Sequence, residues 1–191
     1  SDGVPDYRAP ALQDKQNRLP AFQERLTALT SAGWPVAQQI DHWILRAEMN
    51  GLDFNLRVLQ PWARDPAFYR SIWSEQSDTP DHEGPCHHAL VELWTYDFPL
   101  SLADTARLTA ALRTIPPLLT QARENLTGNA KDLWLGGIYV FRNQLGDLDA
   151  LAVRTAPATP ELQASIGQAR AATLAFADWL TLQGAGKTGP S

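Results

Sequence analysis

An all-α fold, an irregular multi-helix bundle with a polar, proline-rich central loop segment, is what this sequence predicts. Three observations carry that expectation. Apolar residues recur at spacings of three and four along most of the chain. Prolines and glycines fall mainly between those stretches, where they punctuate helices. No stretch alternates apolar and polar residues as a half-buried strand would.

Size and composition fit one packed domain. The 191 residues are 44% hydrophobic and include seven Trp, enough for a real core, and 19% charged residues argues against disorder. Residues 1–191 therefore read as a single helical domain. The formal net charge of −5 and the lack of a basic stripe disfavour nucleic acid as a partner. No run approaches the roughly 18 apolar residues that a membrane span requires. One cysteine allows no internal disulfide. The opening SDGVPDYRAP has neither an initiator Met nor a signal peptide's apolar core, so the chain is expected to be a fragment of a longer helical protein.

Taken in order, residues 1–10 read as an extended lead-in. A first helix is expected to begin near Pro20, with Phe22, Leu26 and Leu29 on its buried face. Trp34-Pro35 opens a longer helix to about Leu59, burying Val36, Ile40, Trp43, Ile44 and Ala47. Gly51 within it costs about 1 kcal/mol relative to Ala, which suggests a kink or a close helix contact. Asp65-Pro66 starts a short aromatic helix holding Phe68, Tyr69 and Trp73.

Ser101 to Asp104 resembles a capping box and opens a helix carrying Leu102, Leu108, Leu112 and Ile115. Pro116-Pro117 seeds the next, with Leu118, Leu119, Ala122 and Leu126 inside. From about Ala130 to Val153 the stripe is Leu133, Trp134, Ile138, Phe141, Leu145, Leu148 and Leu151. A last helix, from about Pro160 to Leu182, buries Leu162, Ile166, Ala169, Thr173, Phe176 and Leu180. GAGKTGPS closes the chain as a loop.

Chemistry concentrates in Ser74–Ser101, between these helices. The segment holds three of the four histidines (His82, His87 and His88), the cysteine Cys86, and carboxylates that include Asp78, Asp81, Glu83 and Glu92. Titratable groups in an irregular segment on a helical scaffold are a usual place for function. His82-Glu83-Gly84-Pro85-Cys86-His87 departs from a zinc-protease helix, which needs a second His four residues after the first. Cys86 stands there instead, and Pro85 interrupts helical bonding. A small zinc site from His82, Cys86 and His87 or His88 is chemically conceivable. The plainer reading is a loop whose polar groups satisfy backbone donors and neighbouring side chains.

Other motifs are weaker. Gly186-Lys187-Thr188 lacks the leading glycine of a phosphate loop, because Thr181 occupies that position, and no helix follows it. Asn125-Leu126-Thr127 matches a glycosylation sequon, a pattern common by chance. Asp41, Glu48 and Asn50 are weaker cleft candidates on the second helix, where a solvated face is the ordinary role of acidic residues. Trp43, Trp73, Trp94 and Trp134 read as core rather than ligand platforms.

Several longer segments carry a resemblance. They are GWPVAQQIDHWILRAEMNGLDF (33–54), PWARDPAFY (61–69), EQSDTPDHEGP (75–85), LWTYDFPLS (93–101), IPPLLTQARENLTGNAKDLW (115–134) and the terminal KTGPS. Together they resemble the N-terminal portion of the bacterial family catalogued as domain of unknown function 885. The resemblance covers most of the chain, with one departure near Tyr139, where Arg is expected. It implies a longer helical protein similar to zinc-dependent peptidases of the helical gluzincin type, with a His-Glu-x-x-His zinc helix downstream of the matched region.

No such motif lies in these 191 residues, so the chain alone is expected to hold no cofactor and to be inactive. Zinc would belong to the full-length protein. On this reading Asp78, His82, Glu83 and His87 are candidates to line a cleft or to orient metal-bound imidazoles. Catalytic residues are not assigned. The resemblance implies a downstream half as partner, a peptide substrate, and a periplasmic or secreted location. The alternative is a non-catalytic helical binding or scaffold domain.

Overall fold

The computed structural model describes residues 3–75, 91–156 and 159–190. The fold is all-α, as expected, with one two-residue parallel strand pair as its described sheet. No helix among the described residues is long and apolar enough to cross a membrane. The sequence reads as one domain; the described chain divides into two compact units, one of residues 7–60 and one of residues 3–6, 61–75, 91–156 and 159–190.

The first unit is a helical hairpin. Helix α1 runs Ala9–Thr27 and α2 runs Val36–Phe54, continuing into a π-turn over Asn55–Leu59. Gly33, at φ 94°, makes the turn before α2, a backbone region that favours glycine. The expected start of α1 near Pro20 is corrected by eleven residues: Pro10 takes the first-turn place and Pro20 lies inside the helix. A first-turn proline lacks only an N–H that would have no helical partner anyway.

The buried faces of both helices also differ from expectation. Leu26 is buried as expected, and Leu19, His42 and Leu56 are buried beside it in the same unit. Phe22 and Leu29 are exposed, and so is the stripe Val36, Ile40, Trp43, Ile44 and Ala47. α2 instead turns the side carrying His42 and half-buried Met49 inward. A β-carbon at Gly51 would meet nothing within 4 Å among the described residues, so none of these makes a close helix contact there.

The second unit holds the main core. Short helix α3 (Pro61–Arg64) leads into a 3-10 turn over Pro66–Tyr69, shorter than the aromatic helix expected there. Trp73 falls instead in strand β1 (Ile72–Trp73), which pairs in parallel with β2 (Val91–Glu92), Ile72 opposite Val91. A 3-10 turn over Leu93–Thr95 and a cis Phe98–Pro99 bond lead to α4 (Leu102–Leu112). Ser101 caps α4: its hydroxyl accepts from Asp104 N–H at 3.0 Å and donates to the Asp104 carboxylate.

Helices α5 (Ile115–Asn125), α6 (Lys131–Arg154) and α7 (Pro160–Gly184) follow at the expected places. The core lies along α6 and α7, with Trp134, Phe141, Leu148, Leu162, Ile166 and Phe176 fully enclosed. Phe141 and Phe176 meet edge to face at 4.7 Å. Leu102 is the exception on α4, 87% exposed where burial was expected. Of the four Trp read as core, Trp134 is buried and Trp73 half-buried, whereas Trp43 and Trp94 are exposed.

Candidate functional site

The principal candidates Asp78, His82, Glu83 and His87 lie outside the described residues, as do Cys86, His88 and the prolines Pro80 and Pro85. What is described is the root of that central segment, where the chain leaves at Glu75 and returns at Val91.

Local sequence explains how this root is held. Asp65 caps the 3-10 turn, its carboxylate accepting from Ala67 N–H at 2.9 Å. The turn delivers Tyr69 into the core, where its hydroxyl donates to the Trp62 carbonyl at 2.8 Å and accepts from Asn125 Nδ2 at 3.0 Å. Ser71 and Ile72 follow, with backbone N–H groups buried beside α6. Gln144 meets both: its side-chain oxygen accepts from Ser71 N–H at 2.8 Å and Ile72 N–H at 3.2 Å. Its amide nitrogen donates to Thr173 Oγ1 at 3.1 Å, tying the root to α7 as well. Val91 N–H donates to the Ser71 carbonyl at 3.0 Å, which brings the returning strand alongside.

Charged groups cluster at this root. Arg70 donates from Nε to the Ile72 carbonyl at 3.0 Å and lays its guanidinium 4.1 Å from the centre of the Trp73 ring. Burial lowers the Arg70 pKa, against the opposing pull of the Asp147 charge. Burial raises the Asp147 carboxyl, a tendency reinforced by Glu75 and opposed by Arg70 and by a hydrogen bond from Ser74. Arg70 and Asp147 thus act on each other through their charges at this root, while the guanidinium itself contacts the Ile72 carbonyl and the Trp73 ring. Arg70, Gln144 and Asp147 escaped the sequence reading. One signal was present: Gln144 stands three residues after Phe141 and four before Leu148, on the buried stripe of α6.

The weaker candidates Asp41, Glu48 and Asn50 sit on exposed positions of α2. Asn50 accepts from Gln23 Nε2 of α1 at 3.5 Å. His42 is the one described histidine. It is buried, with Nε2 at 3.2 Å from the Leu26 carbonyl and its ring edge-on to Trp34 and Trp43. Among the described residues no three His, Cys, Asp or Glu side chains gather to hold a metal, so these residues supply no donor set for zinc.

Two motifs find structural roles. Lys187 donates to the Gly128 carbonyl at 2.7 Å and lies 4.0 Å from the centre of the Trp134 ring, while Thr188 N–H donates to Asn129 Oδ1 at 2.9 Å. This docks the tail beside the start of α6 instead of forming a phosphate loop. Asn125, the sequon asparagine, is half-buried and bonded to Tyr69.

No family model, no curated protein and no solved structure matches the chain.

Proposed function

We propose that the chain is the N-terminal helical part of a zinc metallopeptidase-like hydrolase, of the kind found in the family catalogued as domain of unknown function 885. In that role it forms a scaffold and one wall of a cleft, with no catalysis of its own. The zinc helix and the general base would come from downstream residues. The segment rooted at Arg70, Trp73 and Asp147 would face the cleft and carry Asp78, His82, Glu83 and His87 towards a peptide substrate. A periplasmic or secreted setting follows from the same resemblance.

One observation of the structure supports this reading beyond the resembling segments. The apolar stripe of α2, from Val36 through Ile40, Trp43 and Ile44, is exposed, with Phe54 and Val58 continuing it. Such a stripe at helical spacing is built to be covered by another element. Covering about 500 Å² of apolar surface would contribute roughly 12 kcal/mol by area, an upper figure. The test is to produce the downstream half encoded by the same gene and mix it with this chain. A stable complex that suppresses hydrophobic-dye binding is expected; absence of association would count against the reading.

A second reading, a non-catalytic helical binding or scaffold domain, is favoured by the closure of the larger unit. Its core is enclosed on α6 and α7, and Lys187 and Thr188 pin its tail. Cooperative melting of the chain alone, with no dye binding, would put this reading first.

A further inference from the structure

Between the loop that precedes α4 and the far end of α6 lies a cavity of about 250 Å³, lined by Phe98, Leu100, Leu102, Thr105, Arg154 and Thr159 among others. A void of about 150 Å³ takes a benzene-sized guest. This one therefore suits a group the size of one large side chain with its neighbouring polar atoms.

Its walls are of two kinds. Phe98, Leu100 and Leu102 are apolar, and Leu102 stands almost bare in the first turn of α4. Against them is Arg154, in the last turn of α6, whose guanidinium lies 3.6 Å from the centre of the Phe98 ring. That aromatic seat orients the planar group and leaves its N–H edge available. Among the described residues no carboxylate pairs with Arg154, so its charge is met at this cavity by the Phe98 ring. Thr159, which caps α7, and Leu102, which opens α4, bring the positive ends of two helices to the same cavity. An arginine in a last turn ordinarily offsets the negative end of its own helix. That role needs neither an aromatic seat nor an apolar cavity beneath it.

We propose that this cavity binds an apolar carboxylate, of the class of a C-terminal amino-acid residue with a branched aliphatic side chain. The carboxylate pairs with the N–H edge of Arg154, and the side chain lies against Phe98, Leu100 and Leu102. The site is independent of the hydrolase reading, since it needs no zinc and no downstream residue.

N-acetyl-L-leucine and its uncharged counterpart N-acetyl-L-leucinamide, titrated onto the chain and followed through the amide resonances of Leu102 and Thr105, test this. The acid is expected to saturate in the millimolar range, and the amide to bind at least tenfold more weakly. Arg154→Gln should lose at least tenfold in affinity at unchanged melting temperature, while Arg154→Lys keeps part of it. Leu102→Ala, at an exposed position that leaves the fold intact, should weaken binding about threefold and serves if the arginine variant misfolds. With 4-methylpentanoate, weaker affinity upholds a peptide C-terminus as the occupant, whereas equal affinity overturns that class in favour of simple fatty carboxylates. Equal binding of acid and amide, no saturable shift, or unchanged affinity in Arg154→Gln or Leu102→Ala would overturn it.

Discussion

Gln144, buried on α6, accepts a hydrogen bond from the backbone N–H of Ser71 at 2.8 Å, seventy-three residues away in sequence. Because the same oxygen also receives Ile72 N–H, one side chain satisfies two buried donors just before β1. Gln144→Leu leaves both unpaired and is expected to cost about 2–4 kcal/mol. Gln144→Glu preserves the shape but places a carboxylate in the core. Its folded pKa would be raised, so the variant should lose stability as pH rises through that value. Denaturant unfolding at two pH values measures both effects. Wild-type stability in Gln144→Leu would contradict this account of the root.

Adjacent glycines on α6 should respond oppositely to the same change. A β-carbon at Gly137 would lie 2.6 Å from Pro66 Cβ, and a proline ring cannot swing aside. Gly137→Ala is expected to destabilise by about 1–3 kcal/mol, outweighing the gain in helix propensity. At Gly136 no described residue would lie within 4 Å of an added β-carbon. Gly136→Ala should therefore stabilise by about 0.5–1 kcal/mol. Thermal melts of the two variants decide the matter, and equal shifts would refute the packing described.

Those contacts show how much the sequence carried. Helices α4 to α7 were legible because each pairs a terminal signal, such as Ser101 or Pro160, with an unbroken apolar stripe. The stripe was read correctly where another helix covers it, as with Phe141 and Phe176. It misled on α2, because periodicity reports which face is apolar and not whether anything lies against it. Pro20 misled for a related reason: a proline marks a start only if no earlier one has already opened the helix, and Pro10 had. Gln144 and Asp147 were hidden because their partners, Ser71 and Ser74, are about seventy residues distant.

Asp65 carries a pH dependence of definite sign. Burial raises its pKa above the ordinary 3.8, against the lowering effect of the Ala67 N–H bond. The folded state then holds its proton more tightly than the unfolded one, so stability falls as pH rises from 3.8 through the raised value and is flat above it. Asp147 acts in the same direction, its pKa raised first by burial. Asp65→Asn keeps an acceptor for Ala67 and removes the buried charge. At pH 7 it should be more stable than the native chain, with a flatter stability–pH profile. Lower stability at pH 7 would show that the carboxylate is favoured there.

The exposed stripe of α2 makes a separate claim. Ile40 and Ile44 are each 53% exposed, so changing both to Gln should alter stability by less than about 0.5 kcal/mol per site. Dye binding and self-association of the chain should nevertheless fall. Light scattering and dye fluorescence together give the answer. A large loss of stability would mean that the stripe is covered within the chain.

Peptide hydrolysis tests the central claim most directly. A mixed peptide library is incubated with the 191-residue chain and, separately, with the whole polypeptide its gene encodes, each with and without a zinc chelator. The proposed function requires turnover by the whole polypeptide that the chelator abolishes, and none by the chain alone. Chelator-sensitive turnover by the 191-residue chain, lost in Glu83→Gln, would contradict it.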